Sequence, residues 1–211
     1  KSLKKKGGFA KLDSLLSKYY EQKLFTISEI SEFSERQEEL YEIAKAAGVK
    51  MRVCNLYYSG CSLEQHWEWW KGGDSNYDFY TTDEKGRRGK KNMSLQVALK
   101  QENWDFISLQ QASPKPNKLK LETQLSMATS YAKQIYEYLK EQFPMSKLYW
   151  HETWAYEVGY DRSNGQIPDV ATQTLQYEIN RDLSSAITQA NGVDMVPSGD
   201  AWQIARQNPV I

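Results

Sequence analysis

Cysteine is scarce in this chain: Cys54 and Cys61 are the only two among 211 residues. That is too few for a disulfide framework, and neither has a histidine at metal-ligand spacing, so both are expected to be structural thiols. Net charge is lacking as well. The 27 basic and 27 acidic residues cancel, which removes bulk electrostatics as an argument for a nucleic-acid partner. The one terminal basic cluster, Lys1 and Lys4 to Lys6, sits where solvated tails are common. No run of about 18 apolar residues occurs, so no membrane span is expected, and no signal peptide is visible. There is no internal repeat. Neither a Gly-x-Gly-x-x-Gly nor a Walker-type loop is present, which argues against a flavodoxin-like nucleotide binder; no cofactor or metal is expected.

Rings are abundant instead, with 7 Trp and 14 Tyr. Their apolar faces and polar edges suit cores, interfaces and carbohydrate-stacking surfaces, and most are assigned to the core. The length fits one domain with a substantial interior. Short apolar runs alternate with helical patterns. Strands are predicted at residues 24–27, 49–58, 104–109, 147–150 and 193–196. Helices are predicted at 35–47, closed by Gly48, at 63–70, at 95–99, at 121–143 before Pro144, and at 168–190 before Gly192. Ser62 with Gln65 forms a capping-box pattern, and residues 78–91 read as a hairpin turned at 83–86. The alternation implies βαβ units: a three-layer α/β/α sandwich on a doubly wound parallel sheet, with the ligand site beyond the carboxyl ends of the strands. Phe9, Leu12, Leu15, Leu16 and Tyr19 form a helical stripe in an N-terminal extension, residues 1–23, expected to pack on the domain at 24–211.

The residues after the strands are therefore the candidate site: Ser28-Glu-Ile-Ser31, Ser59-Gly-Cys-Ser62, Gln110-Gln-Ala-Ser113, His151-Glu-Thr-Trp-Ala-Tyr156 and Pro197-Ser-Gly-Asp200. Gly60, at a strand-to-helix corner, allows close approach of backbone N–H groups to a substrate oxygen. Those amides have the composition of an oxyanion hole, although a tight turn alone would also explain the glycine. The Gln110 and Gln111 carboxamides could supply a further donor, or only tie loops together. His66 lies one turn beyond Ser62 and reads as a surface or packing residue. His151 ends a strand and can face the site.

Four blocks, Asn55-Leu-Tyr-Tyr-Ser-Gly-Cys-Ser-Leu-Glu-Gln-His-Trp67, Trp104-Asp-Phe-Ile-Ser-Leu-Gln-Gln-Ala-Ser113, Trp150-His-Glu-Thr-Trp-Ala-Tyr156 and Val196-Pro-Ser-Gly-Asp-Ala-Trp-Gln-Ile-Ala-Arg206, resemble a bacterial domain-of-unknown-function family within the SGNH (GDSL-like) hydrolase superfamily. The resemblance implies a flavodoxin-like fold and a serine esterase, acting on small-molecule or glycan esters such as O-acetyl groups of carbohydrates. It implies that Gly60 and Gln110 or Gln111 hold the oxyanion, and that His151, Trp154 and Tyr156 contact substrate. By the same resemblance a periplasmic or secreted location is expected.

Two blocks depart from the pattern. The family's Gly-Asn-Ser-Phe-Ser has no copy after residues 24–27; alignment on Phe33-Ser34-Glu35 puts Glu32 at the nucleophile's place, and one residue of slip gives Ser31, the candidate nucleophile. No Asp-x-x-His occurs, and a serine needs an adjacent base. The expectation is that this catalytic block lies beyond Ile211; the alternatives are His151 as a substitute base, or a catalytically degenerate carbohydrate-binding domain.

Overall fold

The computed structural model describes residues 22–28, 33–113, 121–160, 167 and 169–207. The Phe9–Tyr19 stripe and Ser31 lie outside the described residues. Seven strands form one sheet in the order β4-β3-β2-β1-β5-β6-β7. They are β1 (Gln22–Ser28), β2 (Met51–Tyr57), β3 (Tyr77–Asp83), β4 (Gly86–Met93), β5 (Phe106–Leu109), β6 (Lys147–His151) and β7 (Asp194–Val196). The helices are α1 (Phe33–Ala46), α2 (Leu63–Gly72), α3 (Leu95–Leu99), α4 (Leu121–Gln142), α5 (Val170–Asn191) and α6 (Ser198–Gln207).

The five strands β2-β1-β5-β6-β7 are parallel, as the alternation predicts, and have the flavodoxin-like order that the family resemblance implies. The hairpin joins the same sheet antiparallel to β2, so the sheet is mixed, with β4 at its edge. β1 begins at Gln22, inside the segment assigned to the extension. Gln22 and Lys23 pair with Met51 and Arg52, a long-range contact that makes polar residues strand without any local apolar signal.

β2 reads as a near-continuous buried run because helices cover the sheet centre. Val53, Cys54, Asn55 and Leu56 are all buried. The main core lies between Leu56, Ile107, Leu109 and Trp150 of the sheet and Leu63, Leu99, Ile135, Leu139, Leu183 and Ile187 of the helices. Both cysteines are buried thiols outside any disulfide. The α5 helix starts on Asp169, whose carboxylate accepts the Thr172 N–H, and stops at Gly192, φ +60°.

Helix α6 was not predicted. Pro197-Ser-Gly199 reads locally as a turn, and glycine weakens a helix. The fold requires the glycine: a Cβ there would stand 2.7 Å from the Thr153 carbonyl oxygen and 2.8 Å from Glu152 Cδ. Close backbone approach, rather than helix propensity, fixes this residue.

Candidate active site at the carboxyl edge

Because β2, β1, β5 and β6 run parallel and adjacent, their carboxyl ends share one edge. β1 ends at Ser28, between β2 and β5, whose following residues carry the Gly60 corner and the glutamine pair.

The corner is braced locally. Gly60 takes a left-handed φ of +70°, with nothing within 4 Å of where a Cβ would stand. Backbone conformation, not crowding, demands glycine there. The Ser62 hydroxyl then accepts the Gln65 N–H at 3.2 Å, and the Gln65 carboxamide oxygen accepts the Ser62 N–H at 3.0 Å. This reciprocal pair starts α2 at the corner.

Beneath it, Cys61 Sγ lies 3.5 Å from His66 Nδ1, which is 2.7 Å from the Tyr77 hydroxyl. The His66 and Tyr77 rings stack at 5.6 Å. His66 is fully buried and therefore packs, one of the two roles expected. Burial pushes its pKa from 6.5 down to about 3, against a smaller upward pull from the Gln110 backbone. The sign for stability follows. Above pH 6.5 neither folded nor unfolded chain is protonated at this ring. Between 6.5 and 3 the unfolded chain takes up a proton that the folded chain refuses, so stability falls with falling pH, by up to about 1.4 kcal/mol per unit. His66→Asn is expected to flatten the stability profile across that window relative to the unmodified chain, measured by urea denaturation at stepped pH. Parallel profiles would refute the assignment.

The Ala112 N–H donates to the Cys61 carbonyl at 2.9 Å, so the β2 and β5 exits are joined over the end of β1. This contact brings Gly60 and the glutamines together, and the structure separates the two glutamines. Gln110 is 1 % exposed, and neither its carboxamide nitrogen nor its oxygen has a partner among the described residues. At Gln111 it is the backbone that ties the loops: its main-chain carbonyl accepts the Thr153 hydroxyl at 2.7 Å. Ser113 Oγ donates to the Trp154 carbonyl at 2.7 Å and accepts from Asn180 Nδ2 at 3.2 Å.

His151 stands at the end of β6, mostly buried, with Nε2 2.8 Å from Ser198 Oγ at the start of α6. Beside it lies a group that sequence reasoning missed. The Glu152 carboxyl is completely buried and accepts the Asp200 N–H at 2.9 Å. It thereby holds the N-terminus of α6, where a negative charge is favoured. Burial raises its pKa, while the Asp200 and Gly199 amides oppose that rise. The available signal was Pro197-Ser-Gly-Asp200 after a short strand, but nothing in it points to residue 152.

The Trp154 ring lies 6.3 Å from Trp202, and Tyr156 stacks on Tyr160 at 4.3 Å. These rings flank the His151 side of the edge. Among the described residues no group of His, Cys, Asp or Glu could hold a metal, and no helix is long and apolar enough to cross a membrane.

Five parallel strands in this order, with helices packed against the sheet, define an α/β/α domain of flavodoxin-like topology. More narrowly, the chain belongs to the DUF4886 family, a domain of unknown function whose model matches residues 23–210. It is similar to the solved structure of a DUF4886 family protein from Bacteroides uniformis. That likeness has 26% identity and a TM-score of 0.74, over 89% of this chain and 71% of that one. A protein described as a GDSL-like lipase from Parabacteroides merdae shares the fold at 14% identity and a TM-score of 0.50, over 89% of this chain and 82% of its own. A gut microbial diltiazem-metabolizing enzyme shares it at 11% identity and a TM-score of 0.53, over 90% of this chain and 40% of that one. No curated protein matches the sequence.

Proposed function

We infer that the chain is a serine-type ester hydrolase whose substrate carbonyl sits at the end of β1, and that its substrates are O-acetylated carbohydrates. One observation carries this: a buried carboxamide, Gln110, with both polar atoms unpartnered among the described residues, next to the left-handed Gly60 corner. Leaving a buried donor unpaired costs about 1–3 kcal/mol, a cost that a ligand oxygen would remove. In this scheme Ser31 attacks the ester carbonyl as a general base takes its proton, the base returns that proton to the departing sugar hydroxyl, and water then hydrolyses the acetyl-serine to release acetate. The amides at Gly60 and the Gln110 carboxamide receive the developing negative charge. Gln111 acts through the loops it ties. His151 orients the substrate, and Trp154 and Tyr156 offer ring faces and edges to a sugar.

A second reading, a carbohydrate-binding domain without turnover, is favoured by the lack of an Asp-x-x-His in these residues. One pair of variants separates the two. Ser31→Ala is expected to abolish release of acetate from acetylated xylan. His151→Ala is expected to raise KM by about tenfold with kcat nearly unchanged, because it removes binding felt equally by ground and transition states. A collapse of kcat in His151→Ala would make it the base that takes the Ser31 proton. Sugar binding by calorimetry without any acetate release would leave the binding domain standing alone.

A further inference from the structure

Five of the seven residues from Lys85 to Lys91 are cationic and none is acidic, in a chain whose total charge is zero. They lie on the exposed outer strand, where every residue of β4 except Met93 is exposed. Basic residues on an edge strand discourage unwanted strand pairing, and one or two suffice for that. Here the strand also has a direction. β4 runs parallel to β2 across the intervening β3, with Asp83 paired to Gly86 at one end and Phe79 to Lys90 near the other. Phe79 is level with Leu56, and Tyr57 with Asp78. Lys90 and Lys91 therefore stand beside the carboxyl edge, about two interstrand spacings, or roughly 10 Å, from the end of β2 that leads to Gly60.

The bulge between Tyr77 and Phe79, with Asn92 at φ +58°, twists this end of the hairpin. The side chains are only partly neutralised. Arg88 is held by the buried Asp83, which keeps that carboxyl below its usual range. Lys91 reaches Asp78 only at 3.8 Å, and the Arg87 guanidinium lies 4.9 Å from the Tyr80 ring centroid.

We propose that the β3–β4 hairpin is a docking track for an anionic, carboxylate-bearing polysaccharide that leads into the carboxyl-edge site. The direction of the track rests on the ester-hydrolase proposal; the binding itself does not. The exposed cations flank this free strand edge from both faces, Arg88 and Lys90 on one and Arg87 and Lys91 on the other, which suits carboxylates spaced along a sugar chain lying against the edge. A nucleic acid is less suited, because the Tyr80 face that could stack a base is covered by Arg87.

The test is native affinity electrophoresis of the full chain through gels containing polygalacturonate, neutral xylan or duplex DNA. Selective retardation by polygalacturonate is expected, weakening as salt rises. The triple variant Arg87→Glu, Lys90→Glu, Lys91→Glu is expected to lose about tenfold or more in affinity, while hydrolysis of uncharged p-nitrophenyl acetate is unchanged. Equal retardation of variant and parent, no retardation by polygalacturonate, or retardation by DNA alone would each overturn the track. Loss of ester hydrolysis in the parent chain would overturn the enzyme proposal and leave the retardation result intact.

Discussion

Gln110→Leu is expected to lower ester turnover by about 100- to 1000-fold, the usual effect of losing one oxyanion donor, while leaving the melting temperature unchanged or raised. The combination is the informative part. Most buried polar side chains are held by partners, so removing one destabilises the fold. Gln110 is 1 % exposed and lacks partners at both carboxamide atoms among the described residues. A leucine of similar volume fills the same space and abolishes the cost of an unpaired buried amide. A side chain that weakens the fold yet is required for turnover fits a functional site. Steady-state kinetics on p-nitrophenyl acetate and a thermal melt of the same sample check it. Unchanged kcat would remove Gln110 from the site, and a large fall in melting temperature would make it a packing residue.

The largest stability effect is expected at Trp150. Its side chain is 1 % exposed, and the indole N–H donates to Ser184 Oγ at 2.9 Å. The ring thus joins β6 to α5 immediately before His151. Trp150→Ala removes most of the largest fully buried side chain and is expected to cost about 3–5 kcal/mol. That lowers the melting temperature by on the order of 10 °C at this chain length. Urea denaturation measures it, and a loss below about 1 kcal/mol would show that the ring does not anchor β6. The effect on function follows from position: with Trp150 gone, the strand end carrying His151, Trp154 and Tyr156 loses its support, and sugar binding is expected to weaken.

Much of the architecture was legible locally. The Ser62–Gln65 capping box, the 83–86 turn and the glycine stops at 48 and 192 each depend on a few neighbouring residues, and each is present in the fold. A packing role for His66 was also foreseeable as one of two, since it follows the capped start of α2 by one turn. Less legible were features created by distant partners. Gln22 and Lys23 are strand only because Met51 and Arg52 lie alongside. Helix α6 carries a glycine, Gly199, in its first turn only because Glu152 and Thr153 press against it. The two glutamines are indistinguishable in sequence; the fold buries the Gln110 carboxamide without partners among the described residues, while the Gln111 backbone carbonyl ties the neighbouring loop through Thr153.

The sequence by itself determined the alternation of strands and helices, their caps and turns, and which residues follow each strand, because these are set by interactions within a few residues. Tertiary structure alone decided which strand ends stand side by side, which carboxamide is left without a partner among the described residues, and that a basic edge strand runs toward the same rim as Gly60. Those outcomes depend on strand order and on contacts made across 40 or more positions of chain, such as Thr153 to Gln111 and Asp200 to Glu152, and such contacts leave no local periodicity in the sequence.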